Sequence, residues 1–219
     1  MSLFEDRRDA GRRLAAELEE YRGTNALILA LPRGGVVIGF ELAAALQLPL
    51  EVFISRKIGA PGNPELAIGA VAEIDGLWTD SEAMQLLGVS EEYVEIEAEH
   101  QRREIERRIQ LYRQGRPLPP MEGRAVIVAD DGIATGYTML AALRGIRLAN
   151  PAQLVVAVPV APLETLSKVS READRVVCLA TPEPFYAVGF HYVNFAQVSD
   201  EEVVELLQLS RQQLGATEG

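Results

Sequence analysis

The sequence predicts an α/β fold, a mostly parallel sheet flanked by helices. Short apolar runs at residues 26–31 (ALILAL), 50–55, 124–129, 154–160 and 175–180 read as strands buried on both faces. Segments of helical periodicity at 36–46, 137–148 and 162–171 stand between them, and such alternation marks βαβ units. Two strands run straight into small-residue turns, PRGG at 32–35 and DDGIATG at 130–136, each followed by a helical pattern.

Taken in order, residues 3–21 predict an opening amphipathic helix. Leu3, Phe4, Ala10, Leu14, Ala15 and Leu18 recur at helical spacing among charges, and Gly23 stops it. Strand 26–31, the PRGG turn, helix 36–46 and strand 50–55 follow. Residues 57–80 (KIGAPGNPELAIGAVAEIDGLWTD) are rich in Gly and Pro around an apolar run at 66–72, which predicts a mobile loop and then a strand or hairpin. Residues 90–114 predict a long charged helix with Ser90 as N-cap, acids first and bases later, before Pro117, Pro119 and Pro120 break the chain. The predicted organisation is one domain with a core at 24–180, a helical insertion at 80–116, a closing segment at 181–197 and a C-terminal helix at 199–214.

The bulk numbers narrow the function. A chain of 219 residues, 48% hydrophobic and 24% charged, has ordinary globular composition. With 32 acidic against 21 basic residues the net charge is -11, which argues against a generic nucleic-acid binder, since that affinity rests on Lys and Arg neutralising phosphates. The single cysteine, Cys178, has no disulfide or zinc partner and reads as a core residue in a reducing compartment. No apolar stretch approaches the roughly 18 residues of a membrane helix, and the charged N-terminus lacks a signal-peptide core. The expectation is a soluble cytoplasmic protein without membrane or nucleic-acid partners.

Residues 126–138 (VIVADDGIATGYT) carry the chemistry. The turn lies beyond the carboxyl end of a strand, where ligands of open α/β sheets sit. Its small residues, the hydroxyls of Thr135 and Thr138 and the following helix N-terminus suit an anion. Adjacent carboxylates at Asp130 and Asp131 repel a bare phosphate but accept hydrogen bonds from vicinal hydroxyls, so together the features point to a sugar phosphate. The alternative is helix capping in a tight turn.

This stretch closely resembles the signature of type I phosphoribosyltransferases that binds phosphoribosyl pyrophosphate (PRPP). The resemblance implies their Rossmann-like fold with a small hood, and transfer of the 5-phosphoribosyl group to a nitrogenous base with release of pyrophosphate. The acceptor stays open. A PRPP-binding regulator without turnover, or a hydrolase of a ribose phosphate, is the alternative. Asp130 and Asp131 would hold the ribose 2′ and 3′ hydroxyls, and Ala134, Thr135, Gly136, Tyr137 and Thr138 the 5′-phosphate. Mg²⁺ would bridge pyrophosphate and ribose, touching the two aspartates only through ribose or water. Ala134 stands where some purine-type members carry a base-handling Asp, and Gly132 where an aliphatic residue is common.

Further positions follow from the same resemblance. PRGG looks like the pyrophosphate loop, giving roles to Arg33, Gly34 and Gly35 and placing a non-proline cis peptide at Arg33–Gly34; a plain βα turn is the alternative. Arg56 and Lys57, read as ending the second strand, would meet the departing pyrophosphate or be a solvated basic pair, and 58–65 would be a lid. Lys57 joins the two aspartates in the implied catalytic set. The aromatic stretch 181–195 resembles the hood, with Phe185, Tyr186 and Val188 as acceptor contacts, or else rings that close the core. His191 reads as proton donor or structural residue, and His100 as solvated. The opening and long charged helices have no family role and suggest a homodimer interface.

Overall fold

The computed structural model describes residues 2–217. α1 (Arg7–Ala16) starts later than the periodicity suggests, because the Asp6 carboxylate caps it by accepting the Asp9 N–H. Residues 3 and 4 donate instead to the His191 carbonyl, far along the chain. β1 (Leu27–Ala30), α2 (Gly34–Leu46) and β2 (Leu50–Val52) form the first βαβ unit. α2 is apolar almost all round, as a helix buried along most of its length must be.

After β2 the chain leaves the parallel sheet. β3 (Ser55–Ala60), β4 (Asn63–Ala72) and β5 (Leu77–Thr79) make a separate antiparallel sheet. Arg56 and Lys57 therefore begin a strand of this second sheet instead of ending the second parallel strand. The Glu73 carboxylate, at the end of β4, accepts the Ile54 N–H at 2.7 Å and ties the departing chain there. Residues 58–65 are thus a hairpin turning at Pro61 and Gly62, not an irregular loop.

The short α3 (Ser81–Leu87) leads to α4 (Glu91–Arg113), which Ser90 caps as expected by accepting the Tyr93 N–H. α4 packs on β3 and β4, with Val94, Ala98, Ile105 and Tyr112 buried. Its apolar stripe is used within the chain, with Ile96 and Leu111 left exposed. A buried ion pair between Arg113 and Glu73 pins its end.

β6 (Ala125–Ala129), α5 (Tyr137–Arg147), β7 (Gln153–Val160), α6 (Leu163–Val169) and β8 (Arg175–Ala180) complete the α/β alternation, and α7 (Asp200–Thr217) closes the chain. The five strands run β2-β1-β6-β7-β8 with every pairing parallel. One core lies under α1, α2 and α7, with Leu14, Ile38 and Leu207 buried; another lies under α5 and α6, with Leu140, Leu143 and Val169 buried. Cys178 is only half-buried, because β8 is an edge strand whose residues are all partly exposed. Among the described residues no helix is long and apolar enough to cross a membrane.

This order places a switch point between β1 and β6. From β1 the sheet grows one way to β2 and the other way to β6, so the turns after β1 and β6 face one crevice. Those turns are PRGG and DDGIATG.

Candidate active site

The two turns touch. A Cβ on Gly34 would collide with the Asp131 carboxylate, and one on Gly35 would come within 2.8 Å of the Ala129 carbonyl and 3.0 Å of the Asp130 Cα. Glycine is required here for this close approach. Neither α2 nor α5 has a side-chain cap, so both begin with backbone donors facing the crevice. The non-proline cis bond is Pro32–Arg33, one bond before the expected Arg33–Gly34, since Gly34 already belongs to α2.

Asp130 and Asp131 sit at the carboxyl end of β6. The Asp130 Oδ1 accepts the Asp131 N–H at 2.8 Å. Burial raises both carboxyls above the usual range, and the neighbouring Asp131 charge raises Asp130 further. Asp131 is relieved by Arg7, whose Nε donates to its Oδ2 at 2.7 Å; the side chains are 11% and 15% exposed. Arg7 also donates to the Ala196 carbonyl at 2.8 Å and lies 3.8 Å from the Phe195 ring centroid. Tyr192 donates to the Asp131 carbonyl at 2.6 Å, and burial pushes its phenol up. Arg7 is a site residue that sequence reasoning missed. It reads only as one cation of an amphipathic helix, and nothing local marks it.

The phosphate-type loop follows. Ala134 and Thr135 are exposed, Thr138 is half-buried, and Gly136 takes positive φ (81°) as the N-cap of α5. Thr165 steadies the loop by donating to the Ala134 carbonyl at 2.7 Å. The Tyr137 side chain is directed elsewhere: its hydroxyl donates to Asp80 at 2.6 Å and its ring lies on Trp78 (4.4 Å), anchoring the loop to the second sheet. Gly132 has a physical reason. A Cβ there would meet the Val188 Cγ1 at 2.5 Å, so the hood valine takes up the room a larger residue needs.

Beside this loop opens a cavity of about 460 Å³ whose lining includes Pro32, Arg56, Lys57, Gln101, Arg108 and Thr138. The structure thus gathers the predicted Arg56, Lys57 and Thr138, and adds Arg108 from the inserted helix. Arg33 is not on its wall and lies 3.8 Å from Asp200.

The hood residues separate. Val188 rests on the acid turn, Phe185 packs on His191 (5.1 Å) and Tyr186 is 75% exposed beside Phe190. Phe185 borders a cavity of about 950 Å³ together with Pro162, Leu163, Lys168 and Thr181. His191 is buried, its Nε2 has no hydrogen-bond partner, and burial lowers its pKa, which fits the structural role better than the proton donor. His100 lies exposed beside Glu97 at 3.3 Å. Among the described residues no group of three or more His, Cys, Asp or Glu is arranged to hold a metal.

Comparison with known proteins agrees with this geometry. The family model described as phosphoribosyl transferase domain matches residues 4–193. TT1426 from Thermus thermophilus, a solved structure, is 42% identical, covers 94% of this chain and 98% of its own, and superposes with a TM-score of 0.79. Rv0571c of Mycobacterium tuberculosis, whose name provisionally assigns it as a phosphoribosyl transferase, is 44% identical over 209 residues. That match covers 94% of this chain and 47% of the relative, so the chain spans about half the length of the curated relatives it matches. With the acid pair and both glycine turns at the switch point, and a family model matching most of its length, the chain belongs to the phosphoribosyl transferase domain family.

Proposed function

We propose that this protein transfers the 5-phosphoribosyl group of PRPP to a nitrogenous base and releases pyrophosphate. One observation carries the reading: a buried pair of carboxylates is packed against the glycines of a second turn and runs into an anion-type loop that borders a cationic cavity. PRPP carries a group for each of these features: ribose hydroxyls, a 5′-phosphate and a pyrophosphate.

Asp130 and Asp131 accept the ribose hydroxyls. The backbone donors of 134–138, with the Thr135 and Thr138 hydroxyls, take the 5′-phosphate. The PRGG turn, Arg56 and Lys57 take the pyrophosphate, where charge develops as the C1–O bond breaks and its electron pair leaves on pyrophosphate. A lone pair of the acceptor nitrogen forms the new bond to C1. The 58–65 hairpin, beside the cavity, excludes water and so favours transfer over hydrolysis. Phe185 and Val188 bound the acceptor side, with Tyr186 exposed at its margin.

Two carboxylates and the pyrophosphate oxygens suit Mg²⁺, which is usually held by one or two carboxylates together with substrate phosphates. Asp130 and Asp131 would hold it through ribose or water, and it would offset the pyrophosphate charge.

Calorimetric titration with PRPP and Mg²⁺ tests the reading. Wild type binds, and Asp130→Asn/Asp131→Asn loses at least about tenfold in affinity, the scale of a hydrogen bond to a charged group. No binding by wild type refutes the proposal. Pyrophosphate release screened over purines, pyrimidines and other nitrogen acceptors identifies the base. Binding without any release replaces transfer by PRPP sensing.

A further inference from the structure

The inserted helix α4 brings a charged face to the site. Glu97, Gln101, Glu104 and Arg108 follow one another at helical spacing, and Glu97, Gln101 and Arg108 line the cavity that also holds Arg56, Lys57, Pro32 and Thr138. Two contacts make α4 a support for the neighbouring hairpin: Gln101 accepts from the Arg56 Nε at 3.0 Å, and the Tyr93 hydroxyl donates to the Gly59 carbonyl at 3.1 Å. One turn beyond Arg108, Tyr112 donates to Asp200 at 2.5 Å, the carboxylate that lies 3.8 Å from Arg33 of the PRGG turn. Arg108 therefore stands on the stretch of α4 that joins Arg56 to the pyrophosphate-type turn.

The charges here are poorly matched. Arg56 is half-buried, yet its hydrogen bond goes to a neutral amide and it pairs with no carboxylate among the described residues. Its pKa is depressed, first by burial and then by the positive charge of Arg108. Arg108, 23% exposed, shares Glu104 with Arg107, accepted at 2.9 Å and 2.8 Å. Glu65 and Glu97 also border the cavity, but Glu65 lies on the exposed hairpin and Glu97 accepts from Gln101 at 2.7 Å. Two guanidinium groups on one cavity wall, Arg108 sharing Glu104 with a second arginine and Arg56 paired with no carboxylate among the described residues, favour a multiply charged anion, and a planar guanidinium binds phosphate oxygens in pairs.

We propose that Arg108 is a pyrophosphate-binding residue, supplied by the inserted helix, that acts with Arg56 and Lys57 on the leaving group. The inference rests on the phosphoribosyl transfer reading and names a contact from a segment with no other assigned role. Arg107, on the same helix and sharing the same Glu104 but off the cavity wall, provides the internal control.

The test is calorimetric titration of the full chain with magnesium pyrophosphate, PRPP and ribose 5-phosphate. Arg108→Gln weakens pyrophosphate and PRPP by about tenfold or more, as expected for one charge-assisted hydrogen bond. Ribose 5-phosphate, which lacks the pyrophosphate, stays within about twofold, as does every ligand with Arg107→Gln. Glu104→Gln frees Arg108 and tightens pyrophosphate, a gain that damage to the fold does not produce. If Arg108→Gln fails to fold, Glu104→Gln and Arg108→Lys decide: the first tightens and the second weakens pyrophosphate selectively. Unchanged pyrophosphate affinity in the Arg108 variants, or equal loss for ribose 5-phosphate, overturns the role of Arg108 and leaves the transfer reading standing. Failure of wild type to bind either PRPP or pyrophosphate overturns both.

Discussion

The acid turn at 130–138 and the cavity walled by α4 face the same crevice but are built in opposite ways. The turn is a contiguous strand–turn–helix whose excess charge is negative and buried, eased by a single cation from α1. The cavity draws Pro32, the β3 pair Arg56 and Lys57, Arg108 and Thr138 from distant parts of the chain and gathers guanidinium groups. Each region alone is electrostatically uneasy, and their strains have opposite sign. A ligand with hydroxyls at one end and a polyanion at the other relieves both, which is the kind of ligand proposed above.

The largest effect tests how firmly the cavity wall is fixed. Arg113→Leu leaves Glu73 buried without its partner and costs about 3–5 kcal/mol, read by urea unfolding; a loss below about 1 kcal/mol would mean that this pair does not pin α4. The turn is probed next. Gly132→Ala forces Val188 of the hood away from the acid turn and costs about 1–3 kcal/mol, and adding Val188→Ala restores part of it. A double variant no better than the single one would show that contact to be irrelevant. Tyr137→Phe removes the hydroxyl bond to Asp80 and costs about 1 kcal/mol by the same measurement, unless the ring contact with Trp78 alone holds the loop.

The smallest effect has the opposite sign. The folded-state pKa of Asp130 is raised above 3.8, so its stabilising contribution is complete below that pH and is lost as pH rises through the raised value. Asn cannot ionise and still accepts the Asp131 N–H. Asp130→Asn should match wild type in thermal unfolding below pH 3.8 and exceed it near neutrality by about 2–4 °C, while losing ligand. A lower Tm at pH 7 would show that the acid pair is not strained.

The same contrast explains what the sequence discloses. The parallel strands and the acid turn are readable because the order strand, turn, helix is local, and apolar runs of strand length announce themselves. Ser90 as the cap of α4 is equally local. The register of residues 53–60 is not, since a distant carboxylate, Glu73, ties down Ile54 and the chain then pairs with β4 in a second sheet. Arg7 and Arg108 are invisible for a related reason. Each reads as one more cation on a charged helix, and only the packing of α1 and α4 against the sheet gives it an address. Tyr137 lies in the loop, but its side chain serves Asp80, a partner 57 positions away.

The Arg7 bridge gives this site a starting condition of its own. A hydroxyl reaching Asp131 meets a carboxylate that already accepts a guanidinium on Oδ2, so it joins an acceptor whose orientation is set in advance. That cation is itself held by the Phe195 ring and the Ala196 carbonyl. Hood residues outside the acid turn thereby help to set how its carboxylate is presented.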